Sequence, residues 1–305
     1  MNYRPKIIAV PLLVVSLIVL AAHASFAQAA SAPYPQRIVS LAPSVTETLF
    51  ALGFGNRVVG VTTYCDYPAE AQRLPKIGDF TNPSLEAIVG QRPDFVIGVD
   101  ESSHPVKARE MERLGIKVAL ISVTSLNDIL NSIQSVARWL GNPEAGEKLA
   151  QKIARQIDAV KKRVAPAPRR ATLLAVGIKP LVAVGGKNFI NELITLAGGE
   201  NIAGQAAQPW LNLPDEYVIA KAPRVIIEAG MGSERSESAK HWADLKSIPA
   251  VKERRVYAYP SDKILRPGPR IGEGLEEIAR LVHPECFAEA KRGPNKGSGC
   301  EGSRP

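Results

Sequence analysis

Short apolar runs alternate along the chain with stretches in which apolar residues return every three or four positions. Arg37-Ile-Val-Ser-Leu41, Arg57 to Val61, Asp94 to Ile97 and Lys117 to Val123 are rich in aliphatic and β-branched residues and have strand length. Pro83 to Gln91 and Val106 to Leu114, which lie between them, keep helical spacing. Ser44-Val-Thr-Glu47 has the spacing of a capping box, predicting a helix that opens there and reaches Leu52. Ser125 to Leu140 closes the series as another helix, with Ser125 and Asp128 at capping spacing. Strand followed by helix, repeated, predicts a mostly parallel sheet with helices on its faces.

A longer helix follows. Asn142 caps it, Pro143 takes its first turn, and Leu149, Ile153, Ile157, Val160 and Val164 recur at three and four until Pro166 and Pro168 stop it. Such a helix of roughly 22 residues spans about 33 Å, long enough to run along two lobes as their connector. Beyond it the alternation resumes. Strands are predicted at Ala171 to Val176, Leu181 to Val184, Arg224 to Ile227 and Val256 to Tyr259, with helices at Asn188 to Leu196 and Ile271 to Val282.

The two halves also repeat in sequence. The stretch from Phe80 through Glu86 and Pro93 to Ile97 overlays Trp210 through Glu216 and Pro223 to Ile227 without a gap. Upstream, Leu49 to Gly60 overlays Leu193 to Gly204 in the same order. One unit used twice predicts two similar α/β lobes with a ligand cleft between them. The expected divisions are a signal peptide at 1–29, an N-terminal lobe at 30–141, a backbone helix at 142–166, a C-terminal lobe at 167–290 and a disordered tail at 291–305.

The N-terminus carries Arg4 and Lys6, an apolar run from Ile7 to Ala22 and then Ala27-Gln-Ala29, the layout of a cleaved secretory signal. A membrane anchor is the competing reading of the same run. Cleavage places the protein in the periplasm. It also leaves 36 basic residues against 30 acidic ones, and the tail takes three of the six surplus charges. So slight an excess gives no support to nucleic-acid binding. Of the three cysteines, Cys286 and Cys300 pair in one reading, leaving Cys65 over, and in the other all three stay unpaired.

Catalytic constellations are missing. His104, His241 and His283 are scattered, no phosphate loop or nucleophile elbow occurs, and no metal-ligand spacing appears. The repeated element is richer in candidates. Glu86 and Glu216 fall in the first turn of their helices, where a carboxylate favours the dipole and points outward. Stabilising a helix start explains them singly; as a pair on one face they suit two basic sockets on a symmetric partner. Phe80 and Trp210 precede them, and Tyr64, Asp262 and Arg266 follow strands, where ligands of such sheets bind.

Arg37-Ile-Val-Ser-Leu-Ala-Pro-Ser-Val-Thr-Glu47, Val59-Gly-Val-Thr-Thr-Tyr-Cys-Asp-Tyr-Pro68, the Leu85 to Ile97 block, Gly198-Gly-Glu-Asn-Ile202, Pro209-Trp210 and Ser261-Asp262 together resemble a known group. The chain is similar, from about Arg37 to His283, to the helical-backbone metal-chelate receptors of ABC importers, and within them to the cobalamin-binding members. The resemblance implies that Pro43, Ser44, Tyr64, Phe80, Trp210, Asp262 and Arg266 line a corrinoid cleft. It implies also that Glu86 and Glu216 dock on arginines of a membrane permease dimer. The cobalamin-binding members carry tryptophan where Phe80 stands, so an incomplete corrinoid suits this thinner cage. The chelate is then a transported ligand, no resident cofactor or metal is expected, and the receptor is expected to act as a monomer. Haem, with Tyr64 as an oxygen donor, or a ferric siderophore is the alternative cargo. A secreted enzyme using the cleft is the alternative of another class.

Overall fold

Each half of the sequence builds its own sheet. In the computed structural model, which describes residues 34–230 and 235–288, β1 (Ile38–Ser40), β2 (Val58–Val61), β3 (Phe95–Val99) and β4 (Lys117–Ile121) pair in parallel in the order β2-β1-β3-β4. In the second half β5 (Arg170–Ile178) lies between β7 (Gly199–Asn201) and β9 (Val225–Glu228), with β10 (Val256–Ala258) beyond β9, again all parallel. First, second, third and fourth strands of the two units therefore occupy the same places. The repeat read from the sequence is a repeat of topology. The second unit adds one feature: β5 runs past the end of β9 and returns as the antiparallel β6 (Leu181–Val184), which carries β8 (Trp210–Asn212) as an edge strand.

Equivalent positions share backbone conformation as well as residue type. Helices α2 (Leu85–Gly90) and α7 (Asp215–Lys221) hold Glu86 and Glu216 in their first turns, and each buries one residue completely, Ile88 and Val218. Each is followed by a non-glycine residue in the left-handed region, Arg92 and Ala222, both at φ 47°. That conformation costs roughly 1–2 kcal/mol outside glycine. Its recurrence just before Pro93 and Pro223 turns the chain identically into β3 and β9.

The upstream match needs one shift. Helices α1 (Pro43–Ala51) and α6 (Phe189–Leu196) both end ahead of a left-handed glycine, Gly53 at φ 84° and Gly198 at φ 80°, the usual residue for that turn. The ungapped overlay had set Gly53 against Ala197. Aligning the glycines instead sets Glu47 of α1 against Glu192 of α6.

The expected capping box on α1 does not form. The helix opens at Pro43 with Ala42 as its cap and no side-chain cap bond, because proline's fixed φ and missing N–H suit the first helical position. Ser44 is thus inside the helix, and Glu47 is engaged elsewhere, as described below. Helix α4 (Leu126–Trp139) does carry its capping box, with Ser125 and Asp128 bonded reciprocally, and Asn142 caps the 22-residue helix α5 (Pro143–Val164). Helix α3 (His104–Arg113) and the closing helix α11 (Ile271–Val282) lie where periodicity put them. The sequence signals did not reveal β7, β8 or the helices α8 (Arg235–Asp244), α9 (Pro249–Lys252) and α10 (Asp262–Leu265), which are short or weakly amphipathic.

Helix α5 packs on α4 of the first unit and on α6 and α11 of the second. Its buried Ile153, Val160 and Val164 join Ile38, Ile97 and Ile133 to Leu193, Leu275 and Val282 in one hydrophobic core. The lobes therefore share apolar burial around a stiff helix instead of hanging on a flexible linker. The signal stretch 1–29, the tail 291–305 and Cys300 lie outside the described residues. Cys286 is disulfide-bonded, whereas Cys65 is a buried free thiol.

Candidate functional site

The C-terminal ends of β1, β2 and β10 meet at the seam between the lobes. From the first lobe come the start of α1, with Pro43 and Ser44, and the loop Tyr64-Cys65-Asp66-Tyr67 after β2. From the second come α10, with Asp262, and Arg266, Gly268 and Arg270 just before α11. A Cβ on Gly268 would stand 3.4–3.5 Å from the Ser44 backbone and Cβ, so the lobes touch there.

An ionic cluster ties this seam. Glu47, with only 1% of its side chain exposed, accepts Arg270 Nε at 2.7 Å and Nη2 at 2.6 Å in a fork, and accepts Arg266 Nη1 at 3.1 Å. Arg266 also donates to Asp66 Oδ1 at 2.6 Å and to the Tyr64 carbonyl at 3.3 Å, and pairs with Asp262 Oδ2 at 3.0 Å. The Arg270 guanidinium lies 4.0 Å from the centre of the Tyr67 ring, a cation on a π face. Burial is the largest influence on Arg266 and opposes its charge; its hydrogen bonds to Asp66 and Glu47 and the field of Asp262 outweigh it and raise the pKa. The hydrogen bond from Arg266 is the main reason that the Asp66 carboxyl titrates below its ordinary value.

Cys65 steadies the loop between the two tyrosines. Its Sγ is buried, 3.1 Å from the hydroxyls of both Thr46 and Thr62. That leaves Tyr64 and Tyr67 projecting, 55% and 48% exposed.

Phe80 stands at the start of the next loop, held by a residue the sequence signals did not single out. His104 is fully buried at the start of α3, its ring edge-on to Phe80 with centroids 5.0 Å apart. Nε2 lies 2.9 Å from the Phe80 carbonyl and Nδ1 3.2 Å from the Val99 amide nitrogen. A neutral ring donating from Nε2 and accepting at Nδ1 satisfies both contacts. Burial pushes the His104 pKa below 6.5, partly offset by its backbone hydrogen bonds at Phe80 and Val99. In the window between that depressed value and 6.5 the unfolded chain binds the extra proton, so stability is full above pH 6.5 and falls as the pH drops below it. Urea midpoints at pH 7.5 and 5.5 are expected to fall further apart in the native chain than in His104→Gln; equal differences would show that His104 does not carry the effect.

Trp210 enters from the opposite edge of the second sheet. Ala175, Ala183 and Leu211 stand level with Glu228, the last residue of β9, so Trp210 is one residue below the rim, 39% exposed. Tyr64, Asp262 and Arg266 are brought together with Ser44 at the seam, whereas Phe80 and Trp210 belong to flanking segments. Glu47, Asp66, Tyr67 and Arg270 join the seam without having been predicted. Asp66 and Tyr67 are neighbours of Tyr64 in the sequence, whereas the spacing of Glu47 after Ser44 points to a helix cap instead.

Glu86 and Glu216 are both exposed. A helix that joins two parallel strands starts beside the carboxyl edge of the sheet, so the first turns of α2 and α7 lie toward the cleft end of their lobes. His283, Glu285 and Cys286 have ligand atoms within 4.8 Å of one another, but the Cys286 sulfur is committed to its disulfide and Glu285 pairs with Arg170 at 2.9 Å. No helix among the described residues is long and apolar enough to cross a membrane.

This geometry has relatives. Residues 38–263 match the model of the periplasmic binding protein family. The vitamin B12-binding protein of Salmonella paratyphi A is 31% identical over 246 residues, covering 81% of this chain and 90% of that protein. Among solved structures, the periplasmic heme-binding protein RhuT of Roseiflexus sp. RS-1 in apo form superposes with a TM-score of 0.75 at 30% identity, covering 82% of this chain and 99% of RhuT. The periplasmic vitamin B12 binding protein BtuF of Vibrio cholerae gives 0.72 at 25%, covering 84% and 99%. With two lobes of one topology, a backbone helix between them and a family match over most of its length, this chain belongs to the periplasmic binding protein family.

Proposed function

We propose that the protein captures a corrinoid in the interlobe cleft, in the periplasm, and delivers it to the permease dimer of an ABC importer. One observation carries the reading: two carboxyl-edge surfaces face each other across a seam that combines projecting aromatic rings with a fixed polar cluster. Flat rings such as Tyr64 and Trp210, 55% and 39% exposed, offer apolar area to a macrocycle at small entropic cost. Asp262 and Arg266 supply hydrogen bonds for its polar edge. Pro43, Ser44 and Phe80 complete the proposed lining. The likeness to named vitamin B12-binding proteins supports the same ligand class. Glu86 and Glu216, exposed at equivalent points of the two lobes, are the proposed docking acids.

Titration with cyanocobalamin tests the reading through tryptophan fluorescence. Trp242 is buried and Trp139 packs edge-on to Phe95 away from the seam, so Trp210 is the expected reporter. Micromolar ligand is expected to quench the emission, and Trp210→Phe to remove most of that quenching. Absence of any response in the native chain would turn the reading to another chelate. Haem is the second reading, favoured by the projecting Tyr64 and by the likeness to RhuT. It requires a shifted Soret band on adding hemin that Tyr64→Phe abolishes.

A further inference from the structure

We propose that Asp66 sets the charge preference of the cleft, admitting ligands whose side groups are uncharged amides and disfavouring those that present carboxylates. The inference rests on the reading of the seam as the ligand site.

Its basis is how the charges of that wall are matched. Arg270 spends its fork on Glu47 and its face on Tyr67. Arg266 meets Glu47, Asp66 and Asp262 together. Lys263, next to Asp262, is held by Glu273 at 3.1 Å and Glu277 at 3.2 Å. With Lys76, whose Nζ donates to the Cys65 carbonyl of the same loop at 3.3 Å, four cations face five carboxylates, and a carboxylate arriving here finds the local charge still negative by one. Opposed like charges a few ångströms apart in a partly buried cleft are costly.

Among the carboxylates on Arg266, Asp66 is the accessible one. Its side chain is 51% exposed, against 30% for Asp262 and 1% for Glu47. It is also on the loop between the two projecting tyrosines. An incoming carboxylate competes with Asp66 for the same guanidinium. A primary amide does not: its NH2 donates to the carboxylate oxygen of Asp66 or Asp262 that Arg266 leaves free, and the ion pairs stay in place. Specificity then comes from a repulsive element as much as from an attractive one.

The test compares cyanocobalamin, its separate monocarboxylic derivatives with one peripheral amide hydrolysed, and hemin, on the native mature chain and on Asp66→Asn. Arg266 keeps Glu47 and Asp262 in that variant, and an unchanged melting curve verifies the fold. The native chain is expected to bind cyanocobalamin about tenfold more tightly than at least one monocarboxylic derivative, and Asp66→Asn to close most of that gap by tightening the acid. An unchanged gap, or equal weakening of both ligands, overturns the proposal. If hemin binds and no corrinoid does, the corrinoid reading fails by itself; Asp66 is then judged on hemin, which the variant must bind more tightly. Binding of none of the probes overturns both.

Discussion

Replacing Glu47 by alanine is expected to destabilise the protein by about 3 kcal/mol, the low end for breaking a buried ion pair by removing one partner. The alanine variant leaves two guanidiniums at 9% and 15% exposure with fewer partners. Arg270 loses its whole fork, and only its contact with Tyr67 remains. Arg266 keeps Asp66 and Asp262, which is why the cost sits at the lower end. Because the cluster joins α1 of one lobe to the approach of α11 in the other, the loss falls on the interface between lobes. Urea unfolding of the mature protein measures it. Glu86→Ala, an exposed carboxylate in a helix first turn, serves as the control and is expected to shift stability by less than about 1 kcal/mol. A cost for Glu47→Ala no larger than that control would show that the cluster does not hold the lobes together.

Joint replacement of Glu86 and Glu216 by alanine is expected to abolish most ligand delivery while leaving ligand binding intact. Each acid stands exposed. Loss of one charge at a docking surface costs about tenfold in association, and two distant sites combine to about a hundredfold. Uptake measured in cells carrying the cognate permease, set beside the fluorescence titration of the purified variant, separates docking from capture. The single variants are expected to be similar, since the lobes repeat each other. Unchanged uptake in the double variant would remove these glutamates from the docking surface.

The sequence carried much of the fold because its strongest signals are local. Proline at the first turn, asparagine at a cap and apolar residues at three and four define α5 without reference to anything distant. The Phe80 and Trp210 segments matched because the same packing demands act twice: an aromatic, a first-turn acid, one fully buried aliphatic, then a left-handed residue before proline. The signals failed where a side chain serves a distant partner. Glu47 has the spacing of a cap but is bonded to residues more than two hundred positions away. His104 gave no motif because one buried imidazole between two backbone groups has no sequence signature. The strands β7 and β8 are three residues each, too short for a period to show, and exist because longer neighbours offer them an edge.

The sequence alone determined the repeated α/β unit, the helix that joins its two copies and the pair of first-turn acids, since each follows from spacing within a few turns of chain. Only the tertiary structure decided that Glu47, Asp66, Arg266 and Arg270 form one cluster, that Cys65 and His104 brace the loops bearing the aromatic rings, and that the lobes share a core. Burial and charge pairing across the seam depend on distances between residues that the chain order keeps far apart, and folding alone brings them within reach.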